Sequence, residues 1–176
     1  LDLSTSSVDG SHTRALRGGE EVEFQPRKMS RTTNAFFLTD IKTTLAISSP
    51  IAGNHHDLYQ IGDHLDELFL TLQRANIETD GLFVNADAGF DSKEFRNKII
   101  ANTALNPRNR DSDDDVFFDD KLYEQRYTIE RTNAWLDSYR TLLNRFETLV
   151  SNWLSFNYIA FITILLKKIY KYKKSI

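Results

Sequence analysis

The feature that most constrains this chain is a change of hydrophobic period. Leu58, Ile61, Leu65, Leu68, Phe69 and Leu72 recur at steps of three and four, the spacing of an amphipathic helix over about residues 57–75. Gly81 then restarts the chain, and Leu82-Phe83-Val84 is a short continuous apolar run, as expected of a strand buried on both faces. A helix leading into a buried strand implies a crossover, and a crossover implies a sheet with helices on its faces.

The flanking sequence fills in such a sheet. Thr33 to Thr39 and Thr43 to Ser48 are β-prone runs separated by Asp40-Ile41-Lys42 and predict a hairpin. Val22-Glu23-Phe24 alternates as a short edge strand would. Residues 1–9 permit an extended strand ending at Asp9, but Ser4, Thr5, Ser6 and Ser7 make a poor buried pattern that does not by itself predict one. Asp91 or Ser92 is placed to cap a short helix with Phe95, Ile99 and Ile100 facing inward. A strand is expected at Thr103 to Leu105, stopped by Asn106-Pro107. Leu122, Ile129, Leu136 and Leu143 repeat every seventh position, which predicts one long helix from Lys121 to Arg145. A last helix is expected from Glu147 to Tyr170.

Composition excludes several classes. The 176 residues include no cysteine, so no disulfide, thiolate metal site or cysteine nucleophile is available. The length suits one domain with its own core. A net charge of −3 argues against a uniformly basic packing protein. Local basic groups, Arg14, Arg17, Arg27, Lys28 and Arg31 early and Lys167, Lys168, Lys171, Lys173 and Lys174 late, can still meet phosphates. Thr148 to Leu166 carries no formal charge, which raises a membrane span. Ser151, Asn152, Ser155, Asn157 and Thr163 interrupt it, so a packing helix is expected instead. The cytoplasm is the default address.

Three acids stand in recognisable settings: Asp9 before Gly10-Ser11-His12-Thr13, Asp87 before Ala88-Gly89-Phe90, and Glu130 in Tyr123-x-x-Arg126-x-x-x-Glu130-Arg131. Taken singly, Asp9 and Asp87 read equally as turn residues, and Glu130 as a surface partner of Arg126. His55-His56-Asp57 invites a metal reading, but capping and packing explain it more simply. His12 reads as a loop histidine. The aspartates between Asp111 and Asp120 read as a solvated connection.

With Gly18-Gly19-Glu20, the Lys28 to Asn34 segment, Gly53-Asn54-His55-His56-Asp57 and Ile129-Glu130-Arg131-x-x-Ala134-Trp135-Leu136, these phrases together resemble the catalytic domain of bacterial insertion-sequence transposases of the DDE class. The resemblance covers nearly the whole chain as a single domain, 1–176. It implies an α/β, ribonuclease H-like mixed sheet flanked by helices, with a long C-terminal helical pair. It implies that Asp9, Asp87 and Glu130 are catalytic ligands of Mg²⁺, with Mn²⁺ able to substitute, because hard ions take carboxylate oxygens. The implied chemistry is phosphodiester cleavage followed by strand transfer at the element's ends.

Family members commonly carry a basic residue seven positions after the glutamate. Here that position is Asp137, so the corresponding DNA contact is expected from Arg131 or Arg140, beside Arg14, Tyr123 and Arg126. The implied partners are double-stranded DNA, as terminal repeats and target, and a second copy of the chain; no membrane is involved, and the place of action is the bacterial nucleoid. Helices that bind the terminal repeats are expected to precede Leu1. The competing reading is a catalytically silent remnant or a DNA-associated interaction module.

Overall fold

The computed structural model describes residues 5–40, 43–104 and 118–174. Among the described residues, eight strands form one mixed sheet. The first strand, β1 (Ser6–Ala15), pairs antiparallel along its length with β3 (Ser30–Thr39), from Ser7 opposite Thr39 to Arg14 opposite Thr32. The far edge of β3 is shared by three short strands, β2 (Glu23–Gln25), β4 (Thr44–Ile47) and β5 (Ile51–Ala52). The expected hairpin and short edge strand are therefore both present.

On the other side β1 pairs parallel with β6 (Phe83–Ala86), which pairs parallel with β7 (Ile100–Thr103). The predicted strand at Thr103 lies a few residues earlier than expected; Leu105 to Pro107 fall outside the described residues, as do Leu1 to Ser4 and Asp111 to Asp115. β1 does not end at Asp9 but runs six residues further, to Ala15. Ser6 and Ser7 are buried despite the poor apolar pattern because β1 lies in the middle of the sheet, with β3 on one side and β6 on the other.

The crossover helix α1 (Ile61–Arg74) buries Ile61, Leu65, Leu68 and Leu72 against Val8, Phe36 and Val84. It starts later than predicted. Residues before it form turns, with Gln60 at φ 49° as its N-cap. In α2 (Lys93–Lys98), Ser92 accepts the Phe95 amide at 3.2 Å, as the sequence suggested. Phe95 is buried in the same core, whereas Ile100 is exposed.

The single long helix expected over 121–145 is broken into α3 (Asp120–Glu124), α4 (Tyr127–Asp137) and α5 (Arg140–Leu143), followed by the two-residue β8 (Asn144–Arg145). Two local competitions cause the breaks. Between α3 and α4 the amides of Gln125, Arg126, Thr128 and Ile129 bond three residues back rather than four, which tightens the turn and rotates the exposed face. At the end of α4 the Ser138 hydroxyl donates to the Trp135 carbonyl at 2.6 Å, and Tyr139 becomes extended. Ile129 and Leu136 are buried as predicted, but Leu142 replaces Leu143 in the core. The long helical pair is thus one long helix, α6 (Val150–Lys173), beside a chain of short ones.

α6 packs Trp153, Ala160, Phe161 and Ile164 onto Ala35, Phe37 and Leu136, closing the second face of the sheet. Among the described residues no helix is long and apolar enough to cross a membrane.

Candidate active site

The site begins with a gap in the sheet. β1 gives one whole edge to β3, so its parallel partners share the other edge: β6 at Ser6 and Ser7, and β8 at Arg14 and Ala15. Between them, on this second edge, no described strand pairs with β1 from Val8 to Thr13. Asp9 lies in this notch. Asp9 sits opposite Phe37, whose ring belongs to the α4–α6 core, while Val8 and Phe36 belong to the α1 core. Side chains alternate along a strand, so Asp9 points to the α4 side.

Asp87 follows directly on β6. The register of Ser7 with Asn85 places Asp87 two residues on along the neighbouring parallel strand, alongside Asp9. Its backbone stays extended, and its Oδ1 accepts the Gly89 amide at 2.7 Å, capping a 3-10 turn over Ala88–Phe90. The turn-residue reading and the site reading therefore apply to one side chain. Burial first, then the nearby Asp87 carboxylate, push Asp9 from its ordinary value near 3.8 up to about 7; Asp57 adds to the rise, while Arg126 and the Gly10 amide oppose it.

Glu130 comes from the first turn of α4. Its Oε1 accepts from Arg126 Nη2 at 2.9 Å, one turn back, and its side chain is 59% exposed. Arg126 also lies over the Tyr123 ring, 5.7 Å from its centre, and Tyr123 packs on Phe118. Arg131 is sandwiched between Tyr127 and Trp135, at 5.4 and 5.3 Å. Arg140 begins α5 beyond the break, so no continuous helix face connects it to Glu130. Arg14 is exposed near the end of β1, on the face opposite Asp9.

Sequence reasoning missed the clamp that holds α3 to the sheet. Asn85 on β6 and Asn102 on β7 are both fully buried. Asn102 donates to Asn85 Oδ1 at 2.8 Å and to the Asp119 carbonyl at 3.0 Å, and accepts the Asp119 amide at 2.8 Å. Asn85 donates to the Leu122 carbonyl at 2.9 Å. These bonds set the start of α3, and with it Tyr123 and Arg126. The available signal was an asparagine inside each of two short apolar strands, where a polar amide must find a partner. Asp119 is part of this structure, capping α3 through the Leu122 amide at 3.0 Å, rather than part of a loose acidic connection.

His12 is a strand residue, not a loop residue. It shares a hydrogen bond with Thr32 at 3.1 Å on the α1 side. His55 stacks on Tyr59 at 3.7 Å, and His56 accepts the Leu58 amide; packing and local capping account for both. Asp57 does not cap α1. It reaches the sheet and accepts Asn34 Nδ2 at 3.0 Å. A cavity of about 450 Å³ between α1, α2 and β7 lies away from all these acids.

Among the described residues, no three acidic or histidine side chains come close enough together to hold one metal ion. The donor chemistry of the notch nonetheless fits a hard divalent cation. Asp9 and Asp87 are all-oxygen donors, and the Asp87 carboxylate is close enough to oppose ionisation of Asp9, a conflict that a cation between them relieves. Glu130 is turned to Arg126 instead.

A mixed sheet with β1 at its centre and helices packed on both of its faces is a ribonuclease H-like fold. The chain superposes on the piggyBac transposase in its synaptic complex with hairpin DNA with a TM-score of 0.56 and 11% identity, over 92% of this chain and 45% of that one. This chain belongs to the family of the transposase DDE domain, whose model matches residues 2–165. Mos1 transposase in its paired-end complex with the left transposon end, and the Mos1 mariner paired-end complex with Mn, each match with a TM-score of 0.40 and 13% identity, over 56% and 82% of this chain and 34% and 57% of theirs. The chain spans less than half the length of the piggyBac protein. No curated protein matches it.

Proposed function

We propose that this chain is the catalytic domain of a DNA transposase that cuts phosphodiester bonds at the ends of an insertion sequence and joins the freed ends to target DNA. The observation that carries this reading is the pairing of Asp9 and Asp87 in the open notch of β1, in a chain of the transposase DDE family. Asp9 and Asp87 hold Mg²⁺, or Mn²⁺ in its place. A bound divalent ion supplies an attacking water or 3′-hydroxyl of lowered pKa and neutralises charge on the departing 3′-oxygen.

The remaining work falls to the chain's own groups. Glu130 completes the acidic set after giving up its contact with Arg126. The planar guanidinium of Arg126, once released, is placed to grip a phosphate near the scissile bond. Tyr123, beneath Arg126, keeps that side chain from folding back into solvent. Arg14 and Arg140, both exposed, take more distant phosphates, and Arg131 acts by holding the outer surface of α4. The working assembly is a pair of chains holding two DNA ends.

The test is Mg²⁺-dependent cleavage of DNA carrying the element's ends by Asp9→Ala, Asp87→Ala and Glu130→Ala. Each is expected to lose at least about a hundred-fold in rate, since metal-assisted charge stabilisation is worth several kcal/mol. Wild-type cutting by all three would overturn the assignment. A joining assay with pre-cut ends separates a transposase from a nuclease that only hydrolyses.

A further inference from the structure

Behind the notch lies a fourth carboxylate. Asp57 approaches β1 from the α1 side at Gly10, the residue next to Asp9. A Cβ on Gly10 would lie 2.5 Å from Asp57 Oδ1, so the approach depends on glycine at this position. Asp57 is held there by Asn34 on β3, which is fully buried and donates to Oδ1 at 3.0 Å. The other amide atom of Asn34, Oδ1, is buried and has no hydrogen-bond partner. A buried amide left half-satisfied is costly, and its retained bond is the one that fixes Asp57. No ion pair among those of the described residues neutralises Asp57.

We infer that Asp57 is a positioning residue for the metal site: held by Asn34 against the backbone of Gly10, it fixes the strand at Asp9 and adds a fixed negative charge behind it. The inference rests on the proposed role of Asp9. Three features work together. The contact with Gly10 limits movement of β1 where its other edge has no strand to hold it. The charge sits one residue along β1 from Asp9, behind the notch. It draws a doubly charged cation toward the notch, because Coulomb attraction scales with the ion's charge. Since Asp57 lies on the opposite face of the sheet, it acts through Gly10 and through the field, not as a ligand.

The experiment is calorimetric titration of the full chain with Mn²⁺ alone. Asp57→Asn keeps the shape and an acceptor for Asn34 but removes the charge; Gly10→Ala keeps the charge but blocks the contact. Asp66→Asn removes an exposed charge from α1 that pairs with Lys98, and controls for net charge. Circular dichroism checks that each variant is folded. Asp57→Asn is expected to weaken Mn²⁺ binding roughly three- to tenfold, the size of one charge acting across several ångströms at a partly solvated site. Asp66→Asn should leave binding unchanged. Gly10→Ala should weaken it too, and the double variant should be no worse than the poorer single one, because both act on one contact.

A folded Asp57→Asn variant that binds Mn²⁺ as the wild type does, while Asp9→Ala loses binding, would overturn this inference alone. Full additivity of the Asp57 and Gly10 changes would likewise overturn the route through Gly10. If the wild type binds no Mn²⁺, or binds it equally after Asp9→Ala, the reading of the site falls and this inference falls with it.

Discussion

The two faces of the sheet are built differently. On one face α1 and α2 close a continuous apolar core in which Phe36, Leu65, Leu68, Phe90 and Phe95 are fully buried. On the other, three short helices and α6 cover a smaller core, and polar bonds do much of the holding: the Asn85–Asn102 clamp and a buried Arg145 that donates to Thr33 and to the carbonyls of Glu147 and Thr148. α6 also leaves Ile159, Ile162 and Leu166 more than half exposed, at 57%, 57% and 59%. Asp9 points toward this second face. A tightly packed layer can hold an acid in place, while a wall of short elements bonded by polar groups can rearrange around a substrate.

The comparison is broken most directly in the core. Leu68→Ala on α1 should lower stability by about 2–5 kcal/mol, as expected for a leucine truncated in a filled interior, whereas Ile162→Ala on α6 should stay within about 0.5 kcal/mol. Urea denaturation of the two variants measures both. Equal losses would mean that the outer surface of α6 is covered in solution and that the faces differ less than described.

Next in size is the effect of Asp9. Its carboxyl titrates near 7 in the folded chain and near its ordinary value when unfolded. The folded state therefore holds this proton more tightly, and the contribution of Asp9 to stability falls as pH rises from about 4 to about 7, then levels off. In metal-free buffer Asp9→Asn should abolish that slope and be more stable than wild type at pH 8, by up to a few kcal/mol. A slope that survives the substitution would place the titrating group elsewhere.

The smallest effect belongs to Glu130. Its pair with Arg126 is exposed and local, so Glu130→Gln should change stability by only about 0.3 kcal/mol while greatly reducing cleavage. A large loss of stability would make Glu130 part of the scaffold.

The same contrast governs what the sequence disclosed. The α1 face was legible because helix and strand periods are direct consequences of burial: Ile61, Leu65, Leu68 and Leu72 on α1, and Leu82 and Val84 at β6, are buried as their spacing predicts. The second face was not, because its breaks come from Ser138 bonding Trp135 and from three-residue turns near Gln125, which interrupt a seven-residue repeat without any glycine or proline to announce them. Asp9 and Asp87 were singled out through the phrases around them, and the parallel register brings them side by side. Asp57 was misread as a cap because its partner, Asn34, is distant in the chain and lies on another strand.

One consequence of the notch concerns misassembly. A bare strand edge ordinarily invites another chain to add to the sheet, through its row of free amides and carbonyls. Here the free stretch is about six residues, roughly 20 Å at strand rise, and is stopped at one end by β6 and at the other by β8, which Arg145 pins from within. An intruding strand would have to bend away sharply at both ends. The molecule can thus keep a doorway in the middle of its sheet without making itself a template for aggregation.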